Sequence, residues 1–179
     1  MGFDLYGEMP QMNKDQKEYK TYHKYVDMHF SDKMKIFEEK PELQDKYYEE
    51  MSQYEEDNPG FYFRNNCWWW RPLWDFVYVS CDDILTEDDY SHGNYNDGHV
   101  IDKDRAIAIA DRLDELIKDG TVMRHQVEYE SERAQAEEDN KGLKSSDEGY
   151  SWQASYPFDA KNVEDFAIFC RQSGGFSIC

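Results

Sequence analysis

Residues 61–85 read FYFRNNCWWWRPLWDFVYVSCDDIL, and this stretch contains both kinds of regular structure that the chain is expected to use. Phe61-Tyr62-Phe63 is typical of a strand, because aromatic residues fit a pleated, half-buried surface. Pro72 suits the first turn of a helix, where its missing N–H has no partner to lose. Apolar residues then recur every three or four positions, which predicts a helix from Pro72 to about Leu85.

The patterns of the flanking segments predict short strands at both ends of the chain and helices between them. Residues 2–7 and 176–179 alternate between apolar and polar side chains, and the second of these segments is typical of an edge strand. Aspartates that can cap a helix precede apolar periodic segments at about 103–119 and 160–173. Residues 122–136 are predicted as a helix or a strand. We therefore expect an α+β fold in which a small sheet packs with three or four helices.

Residues 11–57 differ in texture, because charged residues and tyrosines replace the glycines and aliphatic runs found elsewhere. Two segments with helical periodicity are separated by Lys40-Pro41, and Asn58-Pro59-Gly60 ends the second. This pattern predicts an inserted helical hairpin within a single domain that spans 1–179. A further break near Ser31-Asp32 is an alternative within the first helix.

The chain is strongly acidic, with 39 Asp and Glu against 20 Lys and Arg and a formal net charge of −19. Residues 1–60 carry 15 acidic and 8 basic side chains, and residues 61–100 carry 7 and 2. Such a charge argues against direct binding to nucleic acid or to an anionic membrane, because phosphate contacts require cations. The aromatic content of 16% favours a packed core over disorder.

Cysteine usage and the opening residues favour the cytoplasm. Cys67, Cys81, Cys170 and Cys179 show no C-x-x-C spacing, so we expect free thiols instead of a zinc site or a disulfide framework. The opening residues contain no basic, apolar leader, and no segment of the sequence is apolar enough to predict a membrane span.

Several segments together resemble a group of small, uncharacterised bacteriophage proteins. They are MGFDLYG at 1–7, YFRNN at 62–66, WWWRPLW at 68–74 and SGGF at 173–176. The resemblance implies a phage protein that acts in the infected bacterial cell, and it implies no particular activity. Relatives pass almost directly from the first strand to the second, so residues 11–57 look like an insertion.

Some members of that group carry paired cysteines, suggestive of zinc, in the region that matches residues 121–150. This chain has no cysteine there. No metal function is therefore carried over from the resemblance.

The leading functional hypothesis is an inhibitor of a host defence system, similar to an anti-CRISPR protein. Carboxylates along a rigid surface can match the arginines and lysines that normally hold phosphates, and tyrosines add rigid contact area. The partner would be a host protein with a basic nucleic-acid-binding surface, and no cofactor is expected. The alternative for any single acidic cluster is a solvated face. The candidate partner-binding residues are Tyr22, Tyr47, Glu55, Glu56, Asp57, Asp82, Asp83, Glu87, Asp88 and Asp89.

The second hypothesis is a pocket protein or enzyme that acts on a nucleotide-like small molecule. Indole faces can stack on bases, and Arg and Asn supply hydrogen-bond donors. The structural alternative is that the tryptophans form the core while the asparagines cap the following helix. The candidate ligand-binding residues are Arg64, Asn65, Asn66, Trp69, Arg71, His92 and His99.

Two histidines flank a glycine-rich loop. His92 and His99, with Asp88 and Asp89 nearby, are residue types that hold zinc or iron. Their spacing is equally typical of a structured turn with exposed histidines, so we assign no metal. No nucleophile–base spacing and no phosphate-binding glycine motif is visible, and no catalytic residue is assigned.

Overall fold

The computed structural model describes residues 2–179 and has an α+β architecture. Met1, which begins both the phage-like opening and the predicted domain 1–179, lies outside the described residues. One antiparallel sheet has the strand order β2-β1-β4-β3. Its strands are β1 (Gly2–Gly7), β2 (Tyr62–Asn66), β3 (His99–Ile101) and β4 (Phe176–Ile178). The predicted small sheet packed with helices is confirmed.

Two details of the predicted sheet are wrong. The C-terminal strand is not an edge strand, because β4 pairs with β1 on one side and with β3 on the other. The edge strand beside β4 is β3, which begins in the segment that the sequence suggested was a loop. Strand β3 has only three residues, and its Val100 is exposed, so the alternation of apolar and polar side chains is too short to indicate a strand.

Eight helices are described in the chain. They are α1 (Lys20–Tyr25), α2 (Phe30–Glu39), α3 (Pro41–Asp57), α4 (Cys67–Ser80), α5 (Glu87–His92), α6 (Lys103–Lys118), α7 (Thr121–Asp139) and α8 (Ala160–Ser173). The capping aspartates behave as predicted, since Asp102 accepts the N–H of Arg105 and Asp159 accepts the N–H of Lys161.

The helix after the tryptophans starts five residues earlier than predicted. The Asn66 side chain accepts the backbone N–H groups of Trp68 at 3.0 Å and Trp69 at 3.2 Å, so α4 begins at Cys67. Pro72 therefore lies inside the helix and not in its first turn. A side-chain cap satisfies N–H groups that would otherwise lack partners, and this fixes the helix start.

The main core lies between the sheet and helices α4, α6 and α8. Phe3 of β1 stacks on Trp70 with ring centroids 5.5 Å apart, and Trp70 stacks on Trp74 at 5.3 Å. Both indoles are fully buried. Trp70 and Trp74 therefore serve packing, whereas Trp69 is partly buried and Trp68 remains 38% exposed.

The inserted segment has a second, almost wholly aromatic core. Its buried members are Tyr19, Tyr22, Tyr25, Phe37, Tyr47 and Tyr54. It contains three helices instead of two, because the chain breaks between α1 and α2 and not at Ser31-Asp32. The Glu50 carboxylate of α3 accepts the N–H groups of Thr21 and Tyr22, which provides the N-terminal partner for α1.

Candidate functional site

Two tyrosines of the predicted partner-binding surface are not on the surface. Tyr22 and Tyr47 are 5% and 4% exposed, and their rings pack on one another at 5.9 Å. The periodic stripe that suggested a contact surface is the inward face of the inserted helices. The prediction that these two residues contact a partner is wrong, because burial leaves them almost no accessible area.

The carboxylate of Asp89 is also unavailable to a partner. Asp89 is 3% exposed and lies 2.8 Å from His99 Nε2 and 2.7 Å from Arg105 Nη1. Burial alone would raise the pKa of Asp89, but hydrogen bonds from His99, Thr86 and Arg105 lower it well below its usual value. This residue is a structural anion, and its predicted partner-binding role is corrected.

Other predicted carboxylates are partly engaged within the chain. Asp83 accepts a hydrogen bond from Arg112 at 2.9 Å, which lowers the pKa of Asp83. Asp57 accepts the Tyr19 hydroxyl at 2.5 Å, and burial raises the pKa of the half-buried Glu55. Those that are exposed are Glu56, Asp82, Asp83, Glu87 and Asp88.

A row of exposed carboxylates that the sequence analysis did not single out runs along α3. Within residues 2–179, its members form no ion pair with Lys, Arg or His. Their spacing of three, four and seven residues places them on one face of the helix. The row, which we call the α3 acidic row, consists of Glu42, Asp45, Glu49 and Glu56.

An exposed aromatic residue accompanies this row. Tyr48 is 42% exposed, whereas its neighbour Tyr47 is buried against Phe37. The signal was present in the sequence, because Tyr48 is one position out of phase with the apolar stripe and lies next to Asp45 and Glu49.

The residues of the predicted small-molecule pocket separate into different places. Asn66 is the α4 cap, and Asn65 donates to Asn162 Oδ1 at 2.9 Å. Asn65 and Trp69 line a shallow groove of about 240 Å³ that also contains Asp159 and Asp165.

The two arginines predicted for the same pocket lie elsewhere. Arg71 donates to the Tyr156 hydroxyl and lines another groove, whereas Arg64 lies 3.4 Å from Asp4. The structure therefore does not bring the arginines to the Asn65–Trp69 groove. Lys161 also lines that groove, but it pairs with Glu164 and Asp165, and the carboxylates of the groove disfavour a phosphate group.

A mainly apolar groove of about 410 Å³ lies between α4 and α7. Its wall includes Phe76, Val79, His125 and Tyr129. Burial against the rings of Phe76 and Phe158 lowers the pKa of His125. None of these residues was predicted as part of a site.

The two loop histidines do meet, and the helix α5 positions one of them. The Thr86 hydroxyl accepts the N–H of Asp89, and the Asp89 carboxylate accepts the N–H of Thr86, so a capping box starts this short helix. His92 then lies one turn after Asp88, with Nε2 3.6 Å from the Asp88 carboxylate. The imidazoles of His92 and His99 stack at 4.9 Å with 12° between their planes.

Each of these imidazoles also has a carboxylate within hydrogen-bond distance of one ring nitrogen. His92 Nδ1 lies 2.5 Å from Asp97 Oδ2, and His99 Nε2 lies 2.8 Å from Asp89 Oδ1. The contact with Asp97 is the main reason that the pKa of His92 is raised. We call Asp88, His92 and His99 the histidine cluster.

The tryptophans of α4 hold this segment in place. Trp70 Nε1 donates to the carbonyl of Gly93 at 2.7 Å, and Trp74 Nε1 donates to the carbonyl of Tyr90 at 3.1 Å. A Cβ on Gly93 would lie 2.1 Å from Trp74 Nε1, so only glycine fits there. Trp70 and Trp74 thus hold the backbone next to the histidine cluster, and they are not among its potential ligands.

No protein-family model, curated protein or solved structure matches this chain. Over residues 2–179, none of the helices combines the length and the apolar character needed to cross a membrane.

Proposed function

We propose that this protein is a phage-encoded inhibitor of a host defence system that binds a basic, nucleic-acid-handling surface of a host protein in the cytoplasm. The observation that carries the proposal is the α3 acidic row, defined above. These carboxylates are exposed and, within residues 2–179, none of them forms an ion pair with a lysine or arginine. The phage-like segments at the two ends and in the middle of the chain support the setting.

The dimensions of the row suit a cationic groove. From Glu42 to Glu56 the helix rises about 21 Å, at 1.5 Å per residue. Each strand of duplex DNA carries a phosphate about every 3.4 Å along the axis, so this length corresponds to about six phosphates of one strand. Because the row lies on a helix packed on its own aromatic core, the backbone that carries these carboxylates is fixed before a partner arrives.

Charge would act mainly on the rate of association. A net charge of −19 attracts a basic surface over a distance comparable with the Debye length, about 10 Å at 0.1 M salt. Opposite charges of this kind raise association rates by about tenfold or more and make binding sensitive to salt. Tyr48 supplies an exposed ring beside the row for short-range contact.

The test is a capture experiment with a matched control. The full-length protein is immobilised and exposed to a host lysate, bound proteins are identified by mass spectrometry, and the purified partner is then titrated with and without duplex DNA. In one variant Glu42, Glu49 and Glu56 are replaced by Gln and Asp45 by Asn. In the control, four other exposed carboxylates, Glu8, Glu115, Glu128 and Glu148, are replaced by Gln.

We expect DNA to compete for the partner and the α3 variant to bind about tenfold more weakly or worse, while the control keeps most of its affinity. Both variants lose the same number of charges, so a difference between them reports on location. Equal binding by both variants, or binding that excess DNA leaves unchanged, would show the proposal to be wrong.

A further inference from the structure

The histidine cluster brings three potential metal ligands together from two elements of the fold. Asp88 and His92 come from one face of α5, and His99 comes from β3 at the sheet edge. One ligand atom of each residue lies within 4.8 Å of the others. Two imidazoles and a carboxylate form a donor set that first-row transition metals prefer over Mg²⁺ or Ca²⁺.

The hydrogen bonds of the two imidazoles leave one nitrogen of each ring free. If His92 Nδ1 donates to Asp97, then His92 Nε2 keeps its lone pair and faces Asp88. If His99 Nε2 donates to Asp89, then His99 Nδ1 keeps its lone pair. Histidine ligands in metal sites typically donate their other N–H to a carboxylate in this way, which fixes the tautomer and the ring orientation.

The supporting carboxylates are themselves held. Asp89 is buried and bonded to Thr86 and Arg105, and Asp97 Oδ1 accepts the backbone N–H of His99. The charge around the cluster also favours a cation, because the aspartates near it outnumber the single arginine, Arg105. From this arrangement we propose that Asp88, His92 and His99 bind a divalent transition-metal ion such as Zn²⁺.

Closing around an ion requires a small movement, and the exposed side of the cluster can supply it. Ligand atoms in a tetrahedral zinc site lie about 3.3 Å apart, given metal–ligand distances of about 2.0–2.1 Å. The Asp88 side chain is 77% exposed and His92 is 42% exposed, whereas the His99 side chain is 19% exposed. His99 is therefore the fixed ligand, and His92 tilts out of its stack as Asp88 closes.

Three protein ligands leave at least one coordination position for water. A site of this type polarises its water or binds a further anionic ligand, whereas a four-ligand structural site does not. This property is independent of the α3 acidic row, which lies in the inserted segment. The two proposals can consequently succeed or fail separately.

The test measures Zn²⁺ binding to the full-length chain by competition with a chromogenic chelator, with Mg²⁺ as a comparison. The informative variant is Asp88→Asn, and the matched control is Glu87→Gln, which removes one charge from the neighbouring exposed residue. Neither side chain is buried, so folding should be preserved in both variants. A Cys179→Ser variant removes the exposed thiol as a competing ligand.

We expect one Zn²⁺ per chain, a loss of about tenfold or more in affinity with Asp88→Asn, and little change with Glu87→Gln or Cys179→Ser. Ring nitrogen resonances of His92 and His99 should shift on addition of Zn²⁺. Absence of saturable binding would overturn the proposal. Equal losses in the two carboxylate variants, or loss of binding with Cys179→Ser, would also overturn it.

Discussion

At the scale of single residues, the carboxylates divide into those that support the fold and those that remain for a partner. Asp and Glu usually lie on the protein surface, yet Asp89 and Glu50 each accept hydrogen bonds from backbone or side-chain groups inside the structure. The sequence does not distinguish them from Glu49 or Asp88. Glu50 accepts N–H groups that lie 28 and 29 residues away, so no local pattern reveals its role. For Asp89, only the capping box with Thr86 is visible as a local spacing, whereas His99 and Arg105 come from other elements.

His125 gives a prediction about pH at the same scale. Burial lowers its pKa in the folded chain, while the unfolded chain keeps a pKa of about 6.5. Below that pH the unfolded state binds more protons, so the contribution of His125 to folding stability is lost as pH falls and is restored as pH rises. We expect His125→Phe to lose less stability than the natural chain between pH 7.5 and pH 5, measured by urea unfolding.

A direct titration supplies the control for that prediction. The ring resonances of His125 followed by NMR should give a midpoint below about 6.5. Glu128 raises the pKa of His125 through its charge, so Glu128→Gln should move the midpoint further down. A midpoint at or above the ordinary value would contradict the burial argument.

At the scale of elements, the sequence predicted those with strong local signals and missed those that tertiary contacts create. The helix after Asp102 and the helix before Gly174 have both periodicity and caps, and their predicted bounds are close to those observed. Helix α5 and strand β3 are short, and they depend on indole hydrogen bonds and on pairing with β4. Short elements of this kind carry too few residues for periodicity to identify them.

The start of α4 gives a testable case at this scale. Replacing Asn66 with Ala removes the acceptor for two N–H groups and should lower the free energy of unfolding by about 1 kcal/mol. Asn66→Ser keeps a capping oxygen and should recover most of that loss. Urea unfolding of the three chains measures both effects, and equal stability of the Ala and Ser variants would show that the cap contributes little.

At the scale of the whole molecule, the two separate cores suggest that the inserted segment and the rest of the chain, which we call the sheet-based unit, have different functions. The insertion is tied back at its base, where Asn58 Oδ1 accepts the N–H of Asn13 at 2.9 Å. The two ends of the segment are thus adjacent, and a short glycine linker can replace residues 14–57. Phe61 packs on Tyr54 at 4.9 Å, so the shortened chain would also carry Phe61→Ser.

We expect the shortened chain to fold, because β1, β2, β4 and their helices bury a separate core. Its near-ultraviolet circular dichroism should keep the signal of the stacked Trp70 and Trp74, and its Zn²⁺ affinity should match that of the full chain. Capture of the basic partner should be lost, since the α3 acidic row is gone. A shortened chain that unfolds would show that the cores are interdependent, and one that still captures the partner would move the binding surface to the sheet-based unit.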